Sequence, residues 1–291
     1  PTTVPTVAIA LTASNAQNVA GDAAVVSLQT AGNTSLFAGA VMLQGGPPPK
    51  THVLSRFLEQ EIGRVDQVLR SAILAAAATT VNCLVSGSIT IDVPSASSVS
   101  ETFNACSDFA GESVNGAILI SGIASTPSTF SASVSTNLTF SIAGFVDQTF
   151  TGNFAVSETG IGSTLVTIVI SGAELFLHEG TNTERLGSFV LTTTIDTSTS
   201  ATTDTVILSY ASTEIGGSVS VTTVTPFQTS SGKIFPHAGA IQIVGANGSK
   251  IRLTVNGDEA ETPSSTVWAS APGDGSRGSA ASVQPWPASI E

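Results

Sequence analysis

From Val81 onward, apolar and polar residues alternate with a period of two. Ile89, Ile91 and Val93 interleave with Ser88, Thr90 and Asp92, and comparable runs cover residues 130–140, 145–154, 165–170, 188–195, 205–210 and 218–224. Each run predicts a half-buried strand with one face toward a core and the other lined by Ser and Thr. Residues 241–246 and 249–255 flank Asn247-Gly248, a pair that suits a two-residue type I′ hairpin turn. Short turns separate the runs and no helical pattern intervenes, so the strands are expected to pair antiparallel, as parallel pairing needs crossovers.

The N-terminal part follows other periods. Residues 4–12 alternate, with Val7, Ile9 and Leu11 on one side, and predict a short strand that Pro1 and Pro5 confine to an edge or an open end. Ser14 and Gln17 have capping-box spacing ahead of Val19, Ala20, Ala23 and Val26, the pattern of a first helix. After the break at 45–49, Leu54, Phe57, Leu58, Ile62, Val65 and Leu69 recur every three or four residues. Thr51 can cap the second, amphipathic helix that they predict, running to about Ala78.

The helix needs an apolar bed and the sheet needs a cover. The expected fold is therefore α+β and mainly β: a long antiparallel meander forming a curved sheet or an open barrel or sandwich, covered by N-terminal helices. The organisation reads as an N-terminal strand or arm at 1–13 and a helical segment packing on the sheet at 14–80. An antiparallel β domain at 81–256 and an irregular C-terminal tail at 257–291 complete it. In that Gly-, Ser- and Pro-rich tail, Trp268 and Trp286 stand out, because an indole is costly to leave dangling.

Composition narrows the partners. Only 10% of the residues are charged and nine Lys and Arg stand against 21 Asp and Glu, which excludes the phosphate-neutralising surface that nucleic acid requires. The best apolar helical stretch carries Arg56, Glu59, Glu61, Arg64, Asp66 and Arg70, which argues against a transmembrane segment. One Tyr and two Trp cannot supply the aromatic girdles of an outer-membrane barrel. A chain numbered from Pro1 has the form expected after removal of a signal peptide. The two cysteines, Cys83 and Cys106, suit one disulfide in an oxidising compartment; two buried free thiols are the alternative.

No motif supplies chemistry. His52, His178 and His237 sit at a helix start and at turns, and no G-x-S-x-G elbow singles out a serine. Gly232-Lys233 lacks the rest of a phosphate loop, and Leu165 occupies the third-glycine position of the fingerprint that Gly160 and Gly162 begin. Asp274 alone cannot furnish the oxygens of a calcium site, and Asp258, Glu259 and Glu261 read as a solvated turn. Accordingly no catalytic residue, cofactor or metal is assigned, and the chain is read as a non-enzyme.

Several segments together resemble a loose group of uncharacterised exported β-rich proteins of Gram-negative bacteria, often lipoproteins. They are residues 15–20 (NAQNVA), Cys83 with 87–90 (GSIT), 103–106 (FNAC) and the run from His237 through Val255. The resemblance implies that Cys83 pairs with Cys106, that the address is the envelope or the exterior, and that the fold is a β meander. It implies no activity.

Three functions compete. The first is an extracellular structural or adhesive surface protein, a homo-oligomer or pilus-like polymer whose subunits join through their termini, with Val7, Ile9, Leu11, Trp268 and Trp286 as candidate contacts. The alternative is a periplasmic carrier holding lipid or another apolar ligand in the concave face of the sheet. A Thr array that binds ice or carbohydrate, suggested by Thr192–Thr194 and Thr222–Thr225, ranks last because no strict repeat places those threonines in register.

Overall fold

The structure is a computed structural model. It describes residues 3–12, 14–16, 18–20, 23, 78–107, 111–144, 146–231 and 236–255, and the backbone of 256, 264–270 and 280–285. The expected helix of residues 51–78 lies outside the described residues, apart from Ala78, as does Trp286.

Each period-two run from Val81 onward becomes a strand, whereas residues 4–12, which alternate too, form no strand and contribute only an isolated bridge at Ala8. In chain order the strands are β1 (Thr79–Asn82), β2 (Ser86–Ser95), β3 (Ser98–Ser107), β4 (Glu112–Ser125), β5 (Thr129–Ile142), β6 (Gln148–Thr159) and β7 (Leu165–Glu179). They continue as β8 (Asn182–Asp196), β9 (Ala201–Ser212), β10 (Gly217–Thr229), β11 (Ala238–Val244), β12 (Lys250–Asn256), β13 (Ser264–Ser270) and β14 (Ala280–Pro285). Every strand pairs antiparallel with the next, in one sheet whose spatial order is its sequence order. Among the described residues no ladder joins β1 to β14, so the meander is open.

Two strands run further than their alternation predicts. Both β7 and β8 contain a bulge: residues 172 and 173 oppose Phe154 alone, and Ser188 and Phe189 oppose Leu208 alone. Ser188 has φ of 45°, and the extra residue shifts the phase, so Leu186 and Phe189 are both buried although three apart. Phe189 then lies over Gly172, where a Cβ would come within 2.6 Å of the ring.

The hairpin at Asn247-Gly248 also differs from expectation. Both residues take the left-handed conformation, with φ of 55° and 73°, yet the connection spans Gly245 to Ser249, not two residues. The Ser249 hydroxyl donates to the Ala246 carbonyl at 2.8 Å and closes a 3-10 turn of Ala246–Gly248. At the C-terminus, β13 and β14 arise where composition predicts an irregular tail, β13 pairing with β12 from Lys250↔Ser270 to Asn256↔Ser264.

One contiguous core lies on one face of the sheet, drawing on strands from β2 to β12. Leu11, Ala16, Val19, Ala20 and Ala23 join it from the N-terminal segment, in which residues 16, 18–20 and 23 are helical. Thr12 and Asn15, not Ser14, organise the start of that helix. The Thr12 N–H donates to Asn15 Oδ1 at 2.8 Å, and the Thr12 carbonyl accepts from Ala16 N–H at 2.9 Å.

The inward rows follow the register. One of them passes from Ile91 through Glu101, Ile118, Thr136 and Gly152 to Leu175. Glu101 has 0% exposure, and neither its carboxyl oxygens nor the Thr136 hydroxyl has a hydrogen-bond partner among the described residues. Asp204, also buried, is satisfied: it accepts from Thr193 Oγ1 at 2.7 Å and from Thr202 Oγ1 at 3.4 Å.

The cysteines are paired. The disulfide Cys83–Cys106, with Cα atoms 5.5 Å apart, ties the residue after β1 to the end of β3. It therefore closes over the whole of β2.

Candidate functional surfaces

The two described histidines, His178 and His237, each sit in a local contact with a neighbouring hydroxyl. His178 Nδ1 lies 3.0 Å from Thr183 Oγ1, and its ring stacks on Phe176 with centroids 6.2 Å apart. His237 Nδ1 lies 3.4 Å from Ser230 Oγ, a weak contact that follows from the Gln228↔Ala238 pairing beside it. His52 and Lys233 lie outside the described residues. Among the described residues no group of three or more His, Cys, Asp or Glu could hold a metal ion, and no helix is long and apolar enough to cross a membrane.

The N-terminal arm has a built seat on its own chain. The last β10–β11 pair at that end is Ser220↔Val244, so the first residues of β10 face an empty ladder position. The arm fills it, forming a parallel bridge between Ala8 and Ser218. Ser218 N–H donates to the Val7 carbonyl at 3.0 Å, Ile9 N–H donates to the Ser218 carbonyl at 3.2 Å, and the Ser218 hydroxyl donates to the Thr6 carbonyl at 2.9 Å. From the other side, Ala246 N–H donates to the Ile9 carbonyl, and Leu11 N–H donates to Ser249 Oγ at 2.9 Å.

Two glycines make room for that arm. A Cβ on Gly217 would come within 2.1 Å of Ile9 Cγ2, and one on Gly245 within 2.3 Å of the Ile9 carbonyl oxygen. Of the predicted contact residues, Leu11 is 3% exposed in the core, Ile9 packs against it, and Val7 is 77% exposed. Trp268 lies in β13, paired with Arg252 on one side and Ala280 on the other.

The sheet ends in two edge strands. All four residues of β1 are exposed, including Val81 at 48%, and among the described residues β1 pairs only with β2 and β14 only with β13. The inner face that a carrier would use is lined by the buried core side chains already described.

The outward face of β5–β9 carries threonines in register. Thr129, Thr159, Thr167, Thr194 and Thr203 pair successively and form one row across five strands. The next outward row is Ser131, Ser157, Val169, Thr192 and Thr205, and the one after it is Ser133, Ala155, Ser171, Val190 and Ile207. None of these residues is buried. Thr167 and Thr194 hydroxyls lie 3.3 Å apart.

Charge appears only at the margins of these rows. Beyond the threonine row, Asp196 pairs with Leu165 and Ala201; the Ser198 hydroxyl and amide donate to its carboxylate and hold it below the usual Asp range. On the far side, Glu174 forms an ion pair with Arg185.

No protein-family model matches the chain, and neither the curated proteins nor the solved structures contain a match.

Proposed function

We propose that this is an exported, non-enzymatic structural or adhesive surface protein whose copies join head to tail through the two ends of the sheet. The observation that carries this reading is the open ladder, with β1 at one edge and β14 at the other. An edge strand presents unpaired N–H and C=O groups, and strand addition supplies both a hydrogen-bond ladder and alternating side-chain sites. Contact between two different edges is heterologous, and it propagates into a filament when the rotation from copy to copy does not close a ring. The disulfide supports an oxidising address, as expected for an extracellular or cell-surface protein.

The arm's seating shifts the emphasis between the termini. Backbone groups of Thr6, Val7, Ile9 and Leu11 are already bonded within the chain, whereas among the described residues no second strand pairs with β1 or with β14. The edge strands are therefore the better joints. A lysine on an edge strand opposes addition of another strand, because the ammonium would be trapped against the incoming backbone. Electron microscopy of the purified chain should show filaments, and Val81→Lys should leave a folded monomer. A monodisperse wild-type protein at high concentration, or filaments undiminished in the variant, would sink this reading.

A further inference from the structure

We propose that the outward face of β5–β9 is an ice-binding surface, a property independent of edge-to-edge assembly. Its first support is geometric. Neighbouring strands lie about 4.8 Å apart and successive outward residues about 6.7 Å apart along a strand, so three rows of five residues form a grid of about 19 by 13 Å. The bulges of β7 and β8 lie beyond the third row, at residues 172–173 and 188–189, so pairing within the three rows is regular.

The second support is the chemistry of the grid. Threonine is stiff at χ1, so its hydroxyl and methyl hold fixed positions relative to the strand. The hydroxyl donates one hydrogen bond and accepts two, as a lattice water does, while the methyls wall the troughs between rows. Thr192 and Thr205 continue the pattern beside the five-threonine row.

Charge decides the class of partner. The chain carries a net charge of −12, yet no residue in the three rows is charged. Strand propensity accounts for threonine in strands. The rows share the charge-poor character of the chain, only 10% of which is charged, and so offer no charged side chain to a charged partner. A neutral partner is implied. Sugar polymers are gripped largely by aromatic rings stacking on the sugar face, and the rows contain no aromatic residue. A neutral, regular array of hydroxyls with no stacking demand is the surface of ice.

The test uses the full, disulfide-bonded chain. Fluorescently labelled protein should adsorb to a growing single ice crystal and should slow recrystallisation of polycrystalline ice. Thr167→Tyr and Thr194→Tyr disrupt the centre of the grid at outward positions, and each should raise the concentration needed by roughly tenfold or more, the loss of one to two hydrogen-bonded positions. Thr102→Tyr, at an exposed position of β3 away from the rows and from both edge strands, should leave activity unchanged, and circular dichroism should show all three folded. Exclusion of the wild type from ice, or activity unaffected in both row variants, would overturn the proposal. Co-sedimentation with crystalline cellulose or chitin without ice adsorption would overturn it in favour of a polysaccharide.

Discussion

Gly217 and Gly245 show how single residues decide where the N-terminus goes. Neither has a left-handed backbone; each is small because the arm passes over it. Gly217→Val should expel residues 3–9, since the new Cβ would also lie 2.7 Å from the Val7 carbonyl oxygen. The lost hydrogen bonds should cost about 1–2 kcal/mol and make the arm the first site of proteolysis. An arm as protease-resistant as in the wild type would show that the seat is not selective. Glu101 presents the opposite case. A buried carboxyl without partners costs free energy, so Glu101→Leu should raise stability by about 1–3 kcal/mol, seen as a higher urea midpoint. A lower midpoint would mean that this carboxyl has a partner worth keeping. None of these three residues was legible in the sequence, where Gly217 and Gly245 belong to no motif and Glu101 follows the alternation of Val99 and Phe103 only by position.

At the scale of elements, the strands were largely legible because alternation between Ile or Val and Ser or Thr survives wherever the ladder is regular. It failed at the bulges of β7 and β8, where one extra residue inverts the phase and halves the apparent strand. The threonine row was hidden for a different reason. Thr159 and Thr167 meet across a tight turn, whereas Thr167 and Thr194 meet across the full length of the β7–β8 hairpin, so no constant spacing exists to detect. The cysteines were easier, since two alone allow one pairing. Their bridge spans β2 at the sheet's edge, where β1 contributes only four residues. Cys83→Ala with Cys106→Ala should lower stability by about 3 kcal/mol in the chain-entropy account. Amide exchange should quicken first in β1 and β2, with β7 and β8 least affected, because stability lost at an edge is lost locally. Uniform acceleration along the sheet would instead make the bridge a global constraint.

For the whole molecule, the distribution of charge sets the conditions under which copies meet. A net charge of −12 repels one copy from the next at long range, while β1 itself carries no charged residue. Assembly through the edges should therefore be slow at low ionic strength near neutral pH. It should accelerate as salt shortens the Debye length to about 10 Å at 0.1 M. Acidification toward the sequence pI of 4.5 should act in the same direction, by neutralising carboxylates. Light scattering across a salt and pH series measures both, and a rate indifferent to either would remove long-range repulsion from the account. Val81→Lys separates repulsion from docking in the same series. It changes a net charge of −12 by one and slightly weakens repulsion, so a general charge effect predicts marginally faster assembly. An edge joint predicts arrest at every salt concentration, because the obstacle is an ammonium held against the backbone that a neighbouring strand must pair with.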